Sequence, residues 1–221
     1  MERDNFDLIK EYIKKNNPNF GNDKNEYYTF ELIRRGKDNP ELPAANYHFK
    51  NYYIDSFDKF DIVKNEIISL CKLLNLRAYF AVNKKSYSQV MMNTVVEMAR
   101  RVAVHDYKKP YAIYESCSGK YFDTSDKKWI IDIDNEADEK IDLDNKIRIY
   151  VNAINDAMPK NHSKILMTVP TINGTHLITS PFNVAEFNDY LRNYGLKPHS
   201  DTQHQIIKKN HLTLAYYAKN D

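Results

Sequence analysis

Between residues 128 and 217 the apolar pattern switches repeatedly between a period of two and a helical period, and that switching leaves few folds open. Lys128-Trp-Ile-Ile-Asp-Ile-Asp134 reads as a strand, Asp142 to Met158 as a helix stopped at Pro159, and Lys164 to Val169 as a strand. Thr171-Ile-Asn-Gly174 carries an Asn-Gly hairpin signal, and Thr175-His-Leu-Ile-Thr179 is the return strand. Asn183 to Tyr194 is a helix with Gly195 as its stop, and Ile206-Ile207 with Leu212 to Tyr217 supply a last strand or bent strand pair. This β-α-β-β-α-β order is that of a ferredoxin-like or RNA-recognition-like module. Right-handed crossovers then place the first strand between the third and the fourth, with all neighbours antiparallel. The end of strand 128–134 falls beside the start of strand 175–179.

The first half reads as an α/β module on the same reasoning. Residues 6–15 and 58–74 repeat at helical spacing, 29–35, 47–54 and 76–82 read as strands, and 87–105 as a long helix. On that helix Met91, Met92, Val95, Met98 and Val102 form an apolar face, read as ordinary packing. Residues 107–126 read as a connection with one short strand. The expected class is therefore α+β, with an N-terminal α/β module (1–126) and an RNA-recognition-like catalytic module (127–221) sharing one core. The 221 residues, 42% of them apolar, suffice for such a core.

Composition narrows the function classes. A formal charge of +2 argues against a wide nucleic-acid-binding surface but leaves room for a local basic groove. Cys71 and Cys117 cannot build a disulfide framework or an all-cysteine zinc site, so a reducing compartment, the cytoplasm, is expected. No apolar run reaches membrane-spanning length, and the acidic start is unlike a secretory signal.

Asp132 and Asp134, two apart on a strand, share one face, while Ile131 and Ile133 take the other. Paired carboxylates on a sheet face call for a cation, and Mg²⁺ or Mn²⁺ binds such oxygens together with substrate phosphates. The alternative is an exposed Asp-x-Asp satisfied by water or lysines. His176, expected on the neighbouring strand, could contact a triphosphate or merely cap its turn. Lys208, Lys209 and His211 could hold phosphates or form a solvated turn. Arg77, Lys84 and Lys85 read as a solvated loop. His211-Leu-Thr-Leu214 matches half of a two-histidine phosphoesterase signature, but His176-Leu-Ile-Thr179 is one residue too long for the other half.

Together these residues resemble the archaeo-eukaryotic primase superfamily, which includes primase-polymerases of plasmids and viruses. Trp129-Ile-Ile-Asp132-Ile-Asp134 looks like its metal-binding strand motif, Asn173-Gly174-Thr175-His176 like its nucleotide-contacting motif, and Asp201 to Leu214 like its third. Gly174 stands where serine is usual, and Ile206 where the resemblance calls for an acid, leaving Asp201 as the third acid. The resemblance implies a nucleotidyltransferase of phage or mobile-element type. Asp132, Asp134 and Asp201 would hold Mg²⁺ or Mn²⁺, while Asn173, Thr175, His176, Lys208, Lys209 and His211 would contact the nucleotide. Its partners would be nucleoside triphosphates and single-stranded or primed nucleic acid, with no membrane. A phosphoesterase or metal-dependent nuclease, and a non-catalytic nucleotide- or nucleic-acid-binding relic, are the alternatives.

Overall fold

The apolar periods translate into two antiparallel sheets with helices laid against them, an α+β arrangement, in a computed structural model. It describes residues 2–41, 46–121, 126–135, 141–160, 164–196 and 212–218, and the backbone of 207–208. In chain order the elements are β1 (Glu2–Asp4), α1 (Phe6–Asn16), β2 (Glu26–Arg35), a single 3-10 turn (Gly36–Asp38), β3 (Asn46–Ile54), α2 (Phe57–Leu74), β4 (Arg77–Ala81), β5 (Lys85–Ser86), α3 (Tyr87–Ala103) and α4 (Ala112–Lys120). The second half adds β6 (Trp129–Asp134), α5 (Leu143–Asp156), β7 (Ile165–Pro170), β8 (Gly174–Thr179), α6 (Val184–Asn193), β9 (Ile207–Lys208) and β10 (Leu212–Ala218).

The first sheet runs β1-β10-β4-β2-β3, with β5 alongside β2; the second runs β7-β8-β6-β9. The strand opening the second half thus lies between the third and the short fourth, every pair antiparallel. Residues 212–218 do not close that sheet. They form β10 and enter the first sheet between β1 and β4. Residues 213–218 are buried without alternation, as a strand covered on both faces must be, and β1 and β4 supply its two neighbours.

α1 seals the two sheets together. Phe6, Ile9, Tyr12 and Ile13, at helical spacing, are buried against Phe30, Phe80 and Tyr216 of the first sheet. The same cluster takes in Ile130, Met167, Val169 and Ile178 of the second, so one core spans both halves. Polar ties fix the angle: the Asn5 side-chain amide donates to Pro170 O and Leu214 O, both at 2.9 Å. Asn83 Nδ2 donates to Lys128 O, and Lys128 N donates to Asn83 Oδ1. The opposite face of the second sheet, with Ile131, Ile133 and Leu177, packs under α5 and α6 against Tyr150, Ile154, Phe187 and Leu191.

Two expectations in the first half are corrected. The connection after residue 107 contains helix α4 rather than a short strand, because Ile113 and Cys117, four apart, both bury against Tyr27 and Val90. The Met91, Met92 and Met98 side chains do not pack inside; all three are exposed.

Lys164 is fully buried at the start of β7, where its ammonium donates to the carbonyls of Ile154, Asn155 and Ala157, the open C-terminal end of α5. Helix C-termini carry unpaired carbonyls and partial negative charge, so a cation there is held by acceptors and dipole at once. Lys164→Met is expected to lower the unfolding free energy by about 3 kcal/mol, read as a shift of the urea midpoint, because it strands those carbonyls in an apolar setting. An unchanged midpoint would mean that water reaches them.

Candidate functional site

The inner face of the second sheet grades from apolar to polar along the strands. Cross-strand register sets Met167, Ile178 and Ile130 in one row, and Val169, His176 and Asp132 in the next. Gly174 and Asp134 stand opposite each other at the end. Directly opposed residues of an antiparallel pair share a face, so His176 and Asp132 meet. His176 Nε2 lies 3.0 Å from Asp132 Oδ1, and its Nδ1 lies 3.0 Å from Thr213 Oγ1, reaching across from β10. With the proton on Nε2, the imidazole donates to the carboxylate and accepts from the Thr213 hydroxyl. His176 and Thr213 are buried, Asp132 is half-buried, and Asp134 opens to solvent.

This geometry revises the part expected of His176. Both of its nitrogens already have partners, so the imidazole orients Asp132 instead of offering a free edge to phosphate. Thr175 is not brought to this face. It stands opposite Ile133, and its hydroxyl donates to Val169 O within the helix-covered side. Asn173 is exposed in the β7–β8 turn, its carbonyl accepting from Asn135 N at 2.9 Å. Lys208 pairs through its backbone with Ile130, two positions before Asp132. Asp201, Lys209 and His211 lie outside the described residues. Thr179 is buried on the face opposite His176, so residues 176–179 supply no second two-histidine unit.

Gly174 is not a turn glycine with a left-handed backbone. It is a strand residue, and a Cβ built on it would stand 2.0 Å from Ile133 O and 2.9 Å from the Cα of Asp134. The strand carrying the acids and the strand carrying His176 approach so closely there that no side chain fits. The Lys146 ammonium, buried beneath α5, donates to Asp134 O at 2.9 Å and fixes the end of β6 from the other side.

The structure also brings up a basic cluster that the sequence reading did not single out. Lys37, Arg35 and Arg77 gather where the first sheet meets the open end of β6. Arg77 is buried, binds Asp38 through two nitrogens at 2.5 and 2.6 Å, and sits 4.7 Å over the Tyr217 ring. Arg35 donates to the Tyr79 hydroxyl at 3.0 Å. Burial, then the neighbouring Arg77 and Arg35 charges, lower the Lys37 pKa, while Asp38 and Asp134 pull it back up. Lys37 thus brings a positive charge within electrostatic reach of Asp134, while the Arg77 charge is met by Asp38. The signal in the sequence was the run Arg34-Arg35-Gly36-Lys37 at a strand end.

The solvated-loop reading of residues 77–85 fails for two of its three members, since Arg77 and Lys85 are buried; Lys84 pairs with Glu26 at 2.5 Å. Lys85 stands opposite Tyr27 on the outer face of the first sheet, and burial pushes its pKa down to about 8 against a weak upward pull from Glu31. Its folded value lies below the unfolded one. Stability is therefore complete above about pH 10.5 and is lost as the pH falls towards 8, where the buried ammonium gains its proton. Lys85→Met is expected to raise the unfolding free energy at pH 7 by about 3 kcal/mol, with the gain vanishing near pH 10.5. Thermal melts of both proteins at the two pH values check this. A pH-independent difference would show that packing, not charge burial, separates them.

Among the described residues no three His, Cys, Asp or Glu side chains converge as a metal group. Asp132 and Asp134 offer hard oxygens suited to a divalent ion that completes its shell from substrate and water. A groove of about 500 Å³, lined by Asp142, Asn145, Arg148, Asn152 and Tyr194, lies on the α5 side, away from this face. No helix is long and apolar enough to cross a membrane. No family model matches the chain, and no curated protein or solved structure is significantly similar to it.

Proposed function

We propose that this protein is a metal-dependent nucleotidyltransferase resembling a primase-polymerase, which adds nucleotides to a primer or initiating nucleotide on a nucleic-acid template. The observation that carries the reading is Asp132 on a central strand of the four-stranded antiparallel sheet, 3.0 Å from His176, with the exposed Asp134 two residues beyond it on the same strand. The β-α-β-β-α-β element order of an RNA-recognition-like module is consistent with it.

In this reaction a 3′-hydroxyl oxygen bonds to the α-phosphorus as the bond to pyrophosphate breaks, with the hydroxyl proton passing to water. Asp132 and Asp134, with Asp201 as third ligand, would hold Mg²⁺ or Mn²⁺, which would supply charge neutralisation. His176 keeps the Asp132 carboxylate turned to the open side. Lys37, Arg35, Lys208, Lys209 and His211 are the residues assigned to phosphate oxygens in this reading. Positioning and electrostatics account for most of the rate in phosphoryl transfer, and these residues supply both.

The test is incubation with Mn²⁺ or Mg²⁺, labelled nucleoside triphosphates and primed or unprimed single-stranded template. Elongated products support the reading. Shortened nucleic acid or opened cyclic phosphates would assign the face to a nuclease or phosphoesterase, and neither product would leave a nucleotide-binding relic.

A further inference from the structure

Helix α3 is patterned the wrong way round for a helix packed only on its own chain. Toward the protein it turns Val90, Thr94, Glu97 and Arg101, of which only Val90 is fully buried. Outward it turns Met91 (59% exposed), Met92 (67%), Val95, Val96, Met98 and Val102, with Ala99 and Ala103 among them. Polar residues inward and apolar residues outward is the reverse of a surface helix. The six large apolar side chains of α3 present on the order of 600 Å², the top of the range for the largest patch on a typical monomer, and two such faces together bring about 1,200 Å², the lower end of specific interfaces.

We infer that α3 is a homodimer interface, packing antiparallel against α3 of a second copy. Met91, Val95, Met98 and Val102 recur at intervals of four, three and four, the seam spacing of two packed helices. A two-fold axis crossing α3 between Val96 and Glu97 sets Met91 of one copy beside Val102 of the other, and Val95 beside Met98. Long flexible residues thus meet β-branched ones at each layer. Ala99 and Ala103 flank the seam and let the backbones approach. The arc contains no Trp, Phe or Leu, the residues with which helices lie in a lipid surface, so a second copy fits it better than a membrane. Glu97 is engaged by Arg100 and Arg101 within its own helix, which leaves the seam free of unpaired acid.

Sedimentation velocity on the full chain, from low micromolar to high micromolar concentration, tests the inference. The wild type is expected to run as a dimer. Val95→Glu alone and Met98→Lys alone should each raise the dissociation constant at least 100-fold without lowering the melting temperature of the monomer, since both positions are exposed. Mixing the two variants should restore a heterodimer, because the antiparallel register sets Glu at 95 against Lys at 98. A wild type that stays monomeric overturns the inference. So does a dimer indifferent to both substitutions, or one that the mixture fails to rescue. Floatation of monomeric wild type with phosphatidylcholine–phosphatidylglycerol vesicles would assign the face to lipid instead and equally overturn it.

Discussion

Exchange of both carboxylates, Asp132→Asn with Asp134→Asn, is expected to lower metal-dependent nucleotide addition at least ~10³-fold, about 4 kcal/mol of transition-state stabilisation. The fold should survive. Asp134 is exposed, and an Asn at 132 keeps an oxygen that accepts from His176 Nε2 at its present 3.0 Å. Chelation by EDTA should match the double substitution in size, because both remove the same neutralising charge. His176→Gln separates two roles for the imidazole. If it positions Asp132, as the paired nitrogens indicate, kcat falls about 10-fold while the KM for nucleotide holds, as expected of a group that acts through a ligand. A raised KM with kcat unchanged would instead mean that the ring touches the triphosphate. Undiminished activity in the double Asn variant, with wild-type thermal stability, would remove these acids from the reaction altogether.

How much of this could be read from the sequence follows from where the information is stored. Local periodicity located β6, α5, β7, β8 and α6, because each buries a face against an immediate neighbour. The same patterning places Asp132 beside His176, since strand order and antiparallel register follow from connection handedness. The destination of β10 is a different kind of information. Residues 212–218 read equally well as a strand of either sheet, and the choice depends on β1 and β4, far away in sequence. Strands of two or three residues, such as β1 and β5, hold too few side chains for a period to register. The outward turn of α3 was invisible because a helical period reports that one face is apolar without saying which face meets the protein. Lys37 and Arg35 escaped notice for a related reason. They belong to the end of β2 and the turn after it, and only the packing of the two sheets over α1 brings Lys37 within electrostatic reach of Asp134.

Two buried lysines carry the same lesson in energetic form. Lys164 and Lys85 look alike in composition, yet their replacement by methionine is expected to move stability in opposite directions. Three carbonyl acceptors surround Lys164, whereas among the described residues Lys85 has only the distant charge of Glu31. Desolvation opposes both ammonium groups, and the acceptors decide which one is worth keeping.

Gly174→Ala should be among the most damaging single substitutions in the chain, lowering the unfolding free energy by about 3 kcal/mol or more and abolishing any activity that needs Asp134. A Cβ at this position would meet backbone, Ile133 O at 2.0 Å and the Cα of Asp134 at 2.9 Å, so no flexible side-chain end can move aside. The only relief is separation of β6 from β8 at the rung that carries Asp134. Gly174→Ser should fare no better, since its Cβ meets the same backbone atoms. Two other glycines calibrate the measurement. Gly195 has φ +72° and nothing within 4 Å, so its alanine variant should lose only about 1 kcal/mol, from backbone strain alone. Gly119 lies in α4 with open space around it, and Gly119→Ala should gain about 0.5–1 kcal/mol by restricting the unfolded chain. Urea midpoints in the order Gly119→Ala, wild type, Gly195→Ala, Gly174→Ala would show that strand proximity, not glycine content, sets the cost. A Gly174→Ala protein as stable as wild type would mean that β6 and β8 do not approach closely at this rung, and the Asp132–His176 contact two residues along would lose its geometric basis.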